Sequence, residues 1–252
     1  MTITKERLKE IRKFKTAIIY DGPSLINQTA ILGIVHGLQG NSQNRKIGKR
    51  MASIIILVKD MHPIDAVKSG ADSAICGECP YRLIDGKRLC YVNLIFEPGT
   101  IYKAYNANKL PVLSPGELNY LLLERSLNLR LGSYGDIGAI PADIVLEILA
   151  GGIKSTSYTH QWGREFFDPR VLEYSMASLD HINTLDKLKA KFPRARYYKT
   201  ILRNETPGPG EIMCPSKPGP VGYKGPREVV CSNCLLCGGT AKQAKNITEY
   251  LN

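Results

Sequence analysis

The stretch 52–70, ASIIILVKDMHPIDAVKSG, decides how the chain is read. Ser53 to Val58 is a run of strand length, dominated by isoleucine, with no polar alternation. Such a run suits a strand buried on both faces, as in a parallel sheet. Pro63 is placed to open a helix at its first position, and Gly70 to close it. A buried strand followed by a short helix is the building unit of an α/β fold.

Toward the C-terminus the unit recurs. Ser114 is a cap for a helix through Pro115 to Ser126, with Leu118, Leu121 and Leu122 on one stripe. Strands are expected at Cys90–Phe96, Leu127–Ser133, Ser155–His160, Glu173–Leu179, Arg196–Leu202 and Glu211–Cys214. Helices are expected at Pro141–Ala150, stopped by Gly151 and Gly152, and from about Thr184 to Phe192, ended by Pro193. Repeated strand–helix units predict a parallel sheet covered by helices: a partial or distorted (β/α) barrel, with an open doubly wound parallel sheet as the alternative. Toward the N-terminus lie a basic helix and two strand-like runs, Thr16–Tyr20 and Ile31–Leu38, then a polar loop from Gly40 to Arg45. The expected division is 1–50 for these elements, 51–205 for the barrel-like core, and 206–252 for a Pro/Gly-rich cysteine segment.

The 252 residues are 43% hydrophobic and 23% charged, the balance of a folded protein. No apolar run approaches the ~20 residues that cross a bilayer, and no secretory signal opens the chain. The expected compartment is the cytoplasm, and no membrane partner is expected. The net charge of +11 favours a polyanion such as nucleic acid as a partner, although solubility alone also accounts for it. Tyr197 and Tyr198 among Arg194, Arg196 and Lys199 would suit stacking on a single strand.

Parallel α/β folds carry their chemistry at the C-terminal ends of the strands. Ser133, Tyr134 and Asp136 follow one expected strand, and Thr159 and His160 the next. Ser178 and Asp180 end another, and Arg203 follows the last long one. Each alone reads equally as a cap or turn residue; together they predict a shared polar mouth. Ser133, Tyr134, Ser178 and Arg203 are its candidate cofactor-binding residues. Asp136 and Asp180 are candidates for a general base and a ribose or amine contact, and His160 for a proton shuttle or a ligand. No Walker loop, dinucleotide fingerprint, glycosidase pair or Ser-His-Asp order stands out.

Seven cysteines fall into two groups. Cys76, Cys79 and Cys90 are spaced C-x2-C-x10-C, and Cys214, Cys231, Cys234 and Cys237 are spaced C-x16-C-x2-C-x2-C. Thiolates two residues apart grip zinc or iron–sulfur centres alike. The later group is sufficient for a [4Fe–4S] cluster or a zinc ion. The earlier one would leave an iron of a cluster open, or would need a fourth zinc ligand such as His36, His62 or a carboxylate. Buried free thiols are the bland alternative for both groups.

An early three-cysteine loop and a late four-cysteine group on a strand–helix core resemble radical S-adenosylmethionine enzymes with an auxiliary cluster. Glu97, Pro98 and Gly99 faintly echo the glycine-rich segment of that superfamily. The resemblance implies two [4Fe–4S] clusters, the first binding S-adenosylmethionine at its open iron and generating a radical from it. The segments CGECPYR, CYVN, RLGSYGD, YTHQW, MASLD and CSNCLLCGG are similar to an uncharacterised cysteine-rich family of phages and plasmids, implying a mobile-element context and a host cytoplasm. The expected function is thus a metal-binding, iron–sulfur redox or radical enzyme; the alternative is a non-catalytic, zinc-bound nucleic-acid-binding protein of a phage or plasmid.

Overall fold

The computed structural model describes residues 3–41, 44, 46–84, 86–179, 183–216, 229–240 and 243–250. Helix α1 (Lys5–Ile11) precedes strands β1 (Thr16–Pro23), β2 (Ala30–His36) and β3 (Met51–Val58). Helices α2 (Pro63–Ser69) and α3 (Ser73–Cys76) lead to a small hairpin, β4 (Leu83–Ile84) and β5 (Lys87–Arg88). Next come α4 (Glu97–Asn106), α5 (Pro115–Glu124), β6 (Asn128–Tyr134) and α6 (Ala142–Leu149). Short strands β7 (Ser155–Thr156) and β8 (Tyr158–Thr159), α7 (Val171–Tyr174), β9 (Met176–Leu179), α8 (Asn183–Lys191) and β10 (Tyr197–Ile201) follow. The last elements are β11 (Glu211–Met213), α9 (Cys231–Cys234) and β12 (Asn246–Tyr250).

The local chemistry agrees with these bounds. All eight residues of β3 are buried, as its unbroken apolar run requires. Pro63 stands at the start of α2, and Gly70 ends it in the left-handed conformation, φ +79°. Ser114 and Glu117 form a reciprocal capping box on α5.

Two five-stranded sheets result, ordered β1-β2-β3-β6-β7 and β11-β12-β10-β9-β8. The β1/β2 and β2/β3 ladders are antiparallel, and every other ladder of the two sheets is parallel. Only Ser157 separates β7 from β8, so one passage of the chain edges both sheets. The fold is mixed α/β, and no closed barrel forms among the described strands. The parallel order advances from β3 to β10 without a central reversal, so it is not that of a doubly wound sheet. One hydrophobic core reaches from Ile11 to Tyr197, through strands of the first expected segment. Strands β11 and β12, from the last segment, belong to the second sheet. No described helix is long and apolar enough to cross a membrane.

Several expectations change. Cys90–Phe96 is irregular, not a strand: the Cys90 amide donates to the Tyr81 carbonyl at 2.7 Å, Asn93 Oδ1 accepts from the Ile95 amide at 3.0 Å, and Pro98 then opens α4. Glu173 lies in α7, and only Met176–Leu179 is strand. The Ser155–His160 strand breaks at Ser157 and stops before His160. Strand β12 is additional.

Two arginines of the basic N-terminal run, Arg7 and Arg12, are paired with α5. Arg7 reaches Glu117 at 2.6 Å and Glu10 at 2.9 Å, and Arg12 pairs with Glu124. The expected basic–aromatic patch does not form. Tyr197 is buried with its hydroxyl on Glu211, Lys199 pairs with Glu211, and Arg196 is turned inward.

Candidate functional site

A cavity of ≈ 200 Å³ lies where β6, β8, β9, β10 and β12 end. Cys76, Cys79 and Cys90 all line it. Cys76 ends α3, and its carbonyl accepts from the Cys79 amide at 3.2 Å, closing the C-x2-C turn. Arg82 staples that turn: its guanidinium donates to the carbonyls of Gly77 (2.8 Å) and Gly70 (2.9 Å) and pairs with Asp72 at 2.6 Å. Gln161 Nε2 holds the Cys76 carbonyl from the opposite side at 3.1 Å. The Cys76 thiol is pushed well up, by burial first and then by the facing Cys79, Asp72, Cys90 and Asp136. Burial likewise raises Cys90, which Arg88 partly counters.

Asp136 and His160 meet in the same cavity. The buried Asp136 carboxylate accepts from Thr159 Oγ1 (2.6 Å), the amides of Gly138 (2.9 Å) and His160 (2.6 Å), and Gln161 Nε2 (3.2 Å). Burial pulls its pKa upward, but hydrogen bonding and charge from His160, with Thr159, hold it below the ordinary carboxylate value. With its oxygens occupied in this way, Asp136 organises the turn and orients His160. The His160 ring stands between two groups: Nδ1 lies 3.8 Å from Asp136 Oδ2, and Nε2 lies 3.8 Å from Cys79 Sγ.

The remaining candidates divide. Ser133, Tyr134 and Ser178 line the cavity. Ser133 Oγ faces the Ile54 carbonyl at 3.3 Å, and the Ser178 carbonyl accepts from Trp162 Nε1 at 3.0 Å. Arg203 is exposed and is not part of the lining. Asp180 lies outside the described residues. His36 faces Glu97, with Nδ1 3.3 Å from the carboxylate, and His62 caps α2, so neither reaches the first cysteine group.

The four later cysteines form a second neighbourhood. Burial drives the Cys237 thiol upward, and the facing Cys214, Cys231 and Cys234 add to it, while Lys46 opposes them. Ser216 Oγ lies 3.5 Å from Cys214 Sγ and 3.7 Å from Cys231 Sγ. The backbone carbonyls of Lys46 and Ile47 accept from the amides of Cys231 and Ser232, each at 2.9 Å. Gly48, at φ +80°, permits this approach, since a Cβ there would lie 2.5 Å from Val230. Arg196 fixes the segment after the cluster, donating to the carbonyls of Leu236 (2.9 Å), Gly238 and Ala244 (3.0 Å).

Tyrosines separate the two neighbourhoods. Tyr158 and Tyr198 stack with centroids 4.6 Å apart; both line the cavity, and both pack against the small core containing Cys214 and Cys237. Lys46 and Glu249 pair at 2.9 Å beside them. Arg130 donates to Tyr91 Oη at 2.8 Å and reaches Tyr158 Oη at 3.5 Å. Sequence reasoning missed Arg82, Arg130, Lys46, Glu249 and the tyrosine wall; CGECPYR and RLGSYGD held the first two without indicating inward side chains.

All seven cysteines are free thiols. Among the described residues, no three His, Cys, Asp or Glu side chains converge as a ready site for a single metal ion. No protein-family model matches the chain, and neither does any curated protein or solved structure.

Proposed function

We propose that the chain is an iron–sulfur redox enzyme, with one centre held by Cys76, Cys79 and Cys90 and a second by Cys214, Cys231, Cys234 and Cys237. The observation that carries this reading is that the three thiols of residues 76–90 line one cavity at the strand ends, together with the sequence-distant His160 and Asp136. The chemistry of the donors supports it: seven unbridged thiols stand in two groups, with Arg82 and Arg88 beside the first and Lys46 beside the second. The one-way progression of parallel strands supports a partial-barrel description of the core. A bound iron–sulfur centre supplies one-electron chemistry and, with only three cysteines, a coordination position for a small molecule.

The chain's own residues then have separate tasks. Arg82 fixes the Cys76–Cys79 turn and offsets thiolate charge. Asp136 orients the His160 ring, whose Nε2 faces the cavity as an acceptor or carrier of a proton. Tyr158 and Tyr198 wall off the second centre. S-adenosylmethionine is the small molecule suggested by the architectural resemblance, and a reducing cytoplasm, that of a host cell if the gene is phage-borne, suits the thiols.

The test is iron, sulfide and zinc analysis of anaerobically purified protein, with visible absorption and electron paramagnetic resonance. Cys79→Ser should remove one signal and Cys234→Ser the other. Colourless protein with stoichiometric zinc overturns the reading.

That outcome would favour a second reading, a zinc-bound nucleic-acid-binding protein. Its support is the 3.8 Å between Cys79 Sγ and His160 Nε2. Zn–S of ~2.3 Å and Zn–N of ~2.0 Å in a tetrahedron put sulfur and nitrogen roughly 3.5 Å apart. This reading expects DNA or RNA affinity that falls steeply with salt.

A further inference from the structure

Six tyrosines line the cavity: Tyr81, Tyr91, Tyr134, Tyr158, Tyr198 and Tyr250. Four of their hydroxyls already have protein partners: Tyr81 with Thr200 (2.8 Å), Tyr91 and Tyr158 with Arg130, and Tyr198 with Glu249 (2.6 Å), Thr200 and Glu249 being lining residues themselves. The two cations nearby are engaged as well, Lys46 by Glu249 and Arg130 by the phenols. What these tyrosines offer an occupant is ring surface, beside the three thiols and His160.

Tyr134 is the exception. Its side chain is buried, with the residue 4% exposed, and its hydroxyl has no hydrogen-bond partner. Gly132 at φ +66° and Gly135 at φ +79° flank the turn that sets this ring at the cavity. A Cβ at Gly135 would lie 2.8 Å from that of Ile56, so the turn is held tightly. A buried phenol without a partner is destabilising, and a ligand acceptor would supply the missing bond.

We propose that the cavity binds a nucleobase, stacked against the tyrosine rings, with the Tyr134 hydroxyl donating to a ring nitrogen or carbonyl. An uncharged, flat heterocycle matches a wall rich in tyrosine rings, whose Lys46 and Glu249 charges are paired with each other and whose buried Tyr134 hydroxyl has no partner. The volume of ≈ 200 Å³ is below the ~300–1,000 Å³ of sites for drug-sized ligands, which suits one small ring system. The base could arrive on a free nucleoside or in a single strand, and the net charge of +11 is compatible with the strand. The inference deepens the reading of this cavity as the substrate side of the first cysteine group.

The experiment is calorimetric titration of the purified full chain with adenosine, guanosine, cytidine and thymidine, with ribose as the reference. At least one nucleoside should bind ten times more tightly than ribose, and Tyr134→Phe should weaken that binding about five- to tenfold. Tyr174 also has a buried hydroxyl without a partner, but it lies outside the cavity lining, so Tyr174→Phe should leave binding unchanged. Tyr198→Leu, which removes a stacking face, should weaken binding without depending on the Tyr134 turn. Nucleosides no better than ribose, or equal effects of the two phenylalanine variants, overturn the proposal. An octanucleotide that binds more tightly than the nucleoside and loses affinity steeply with salt assigns the source to a strand; equal affinities assign it to free nucleosides. Metal content of the same samples separates the two readings. Metal-free protein that binds nucleosides retains this inference and removes the metal centre, whereas iron-loaded protein that ignores them does the reverse.

Discussion

Arg82 and Arg196 do similar work at opposite sides of the molecule, each using a planar fork of donors to gather carbonyl oxygens from irregular backbone. Arg196 is only 7% exposed and holds carbonyls across residues 236–244. Lysine cannot reproduce that fork, so Arg196→Lys should cost about 2–4 kcal/mol in denaturant unfolding, and it should free residues 231–245 to proteolysis. Glu211 offers a pH test. Burial raises its pKa, but Lys199, the Gly208 amide and Tyr197 outweigh burial and hold it below 4.5. A depressed carboxylate stabilises the fold fully above its ordinary value and loses that contribution as pH falls toward the depressed one. The difference in melting temperature between the native chain and Glu211→Gln should therefore be largest near neutrality and shrink below pH ~4. The cysteine groups were legible because chemistry dictates their spacing. Arg196 was not, because among Arg194, Tyr197 and Lys199 it reads as surface, and its carbonyl partners lie some forty residues onward.

Among the elements, those with strong punctuation were the legible ones. Helix α5 announces itself by Ser114, Pro115 and Glu117, and the box they form is present on both sides, 3.2 Å to the Glu117 amide and 2.9 Å from the Ser114 amide. Ser114→Ala should lower stability by about 1 kcal/mol, read by chemical denaturation. Glu117 also receives Arg7, so an Arg7→Ala and Ser114→Ala double-mutant cycle should be non-additive. Cys90–Phe96 misled because aromatic and branched residues there imitate a strand. In fact Leu89, Tyr91, Ile95 and Phe96 are all exposed, and Asn93 turns the chain. Strand β12 was missed because five residues, NITEY, are too few to show a period, and pairing on both sides is what makes them a strand.

For the whole molecule, sequence periodicity conveyed the α/β class and the parallel ladders. It could not convey closure, which depends on how far each ladder runs: β7 and β8 contribute two residues each. The first sheet, with all of β3 buried, contrasts with the second, whose outer strand β11 has three residues. Hydrogen exchange should accordingly be slowest in β2, β3 and β6 and faster by orders of magnitude in residues 229–240, where α9 spans only four residues. Uniform protection across the two regions would contradict this picture.

Strand β12 lies between β10 and β11, and it brings Glu249 and Tyr250 to the cavity. During synthesis a vacant slot must persist in the second sheet until residues 246–250 clear the ribosome. The first sheet is free to mature long before that moment. The walls of the cavity thus close late, onto a first sheet already made, and Glu249 and Tyr250 are the last of its lining residues to arrive.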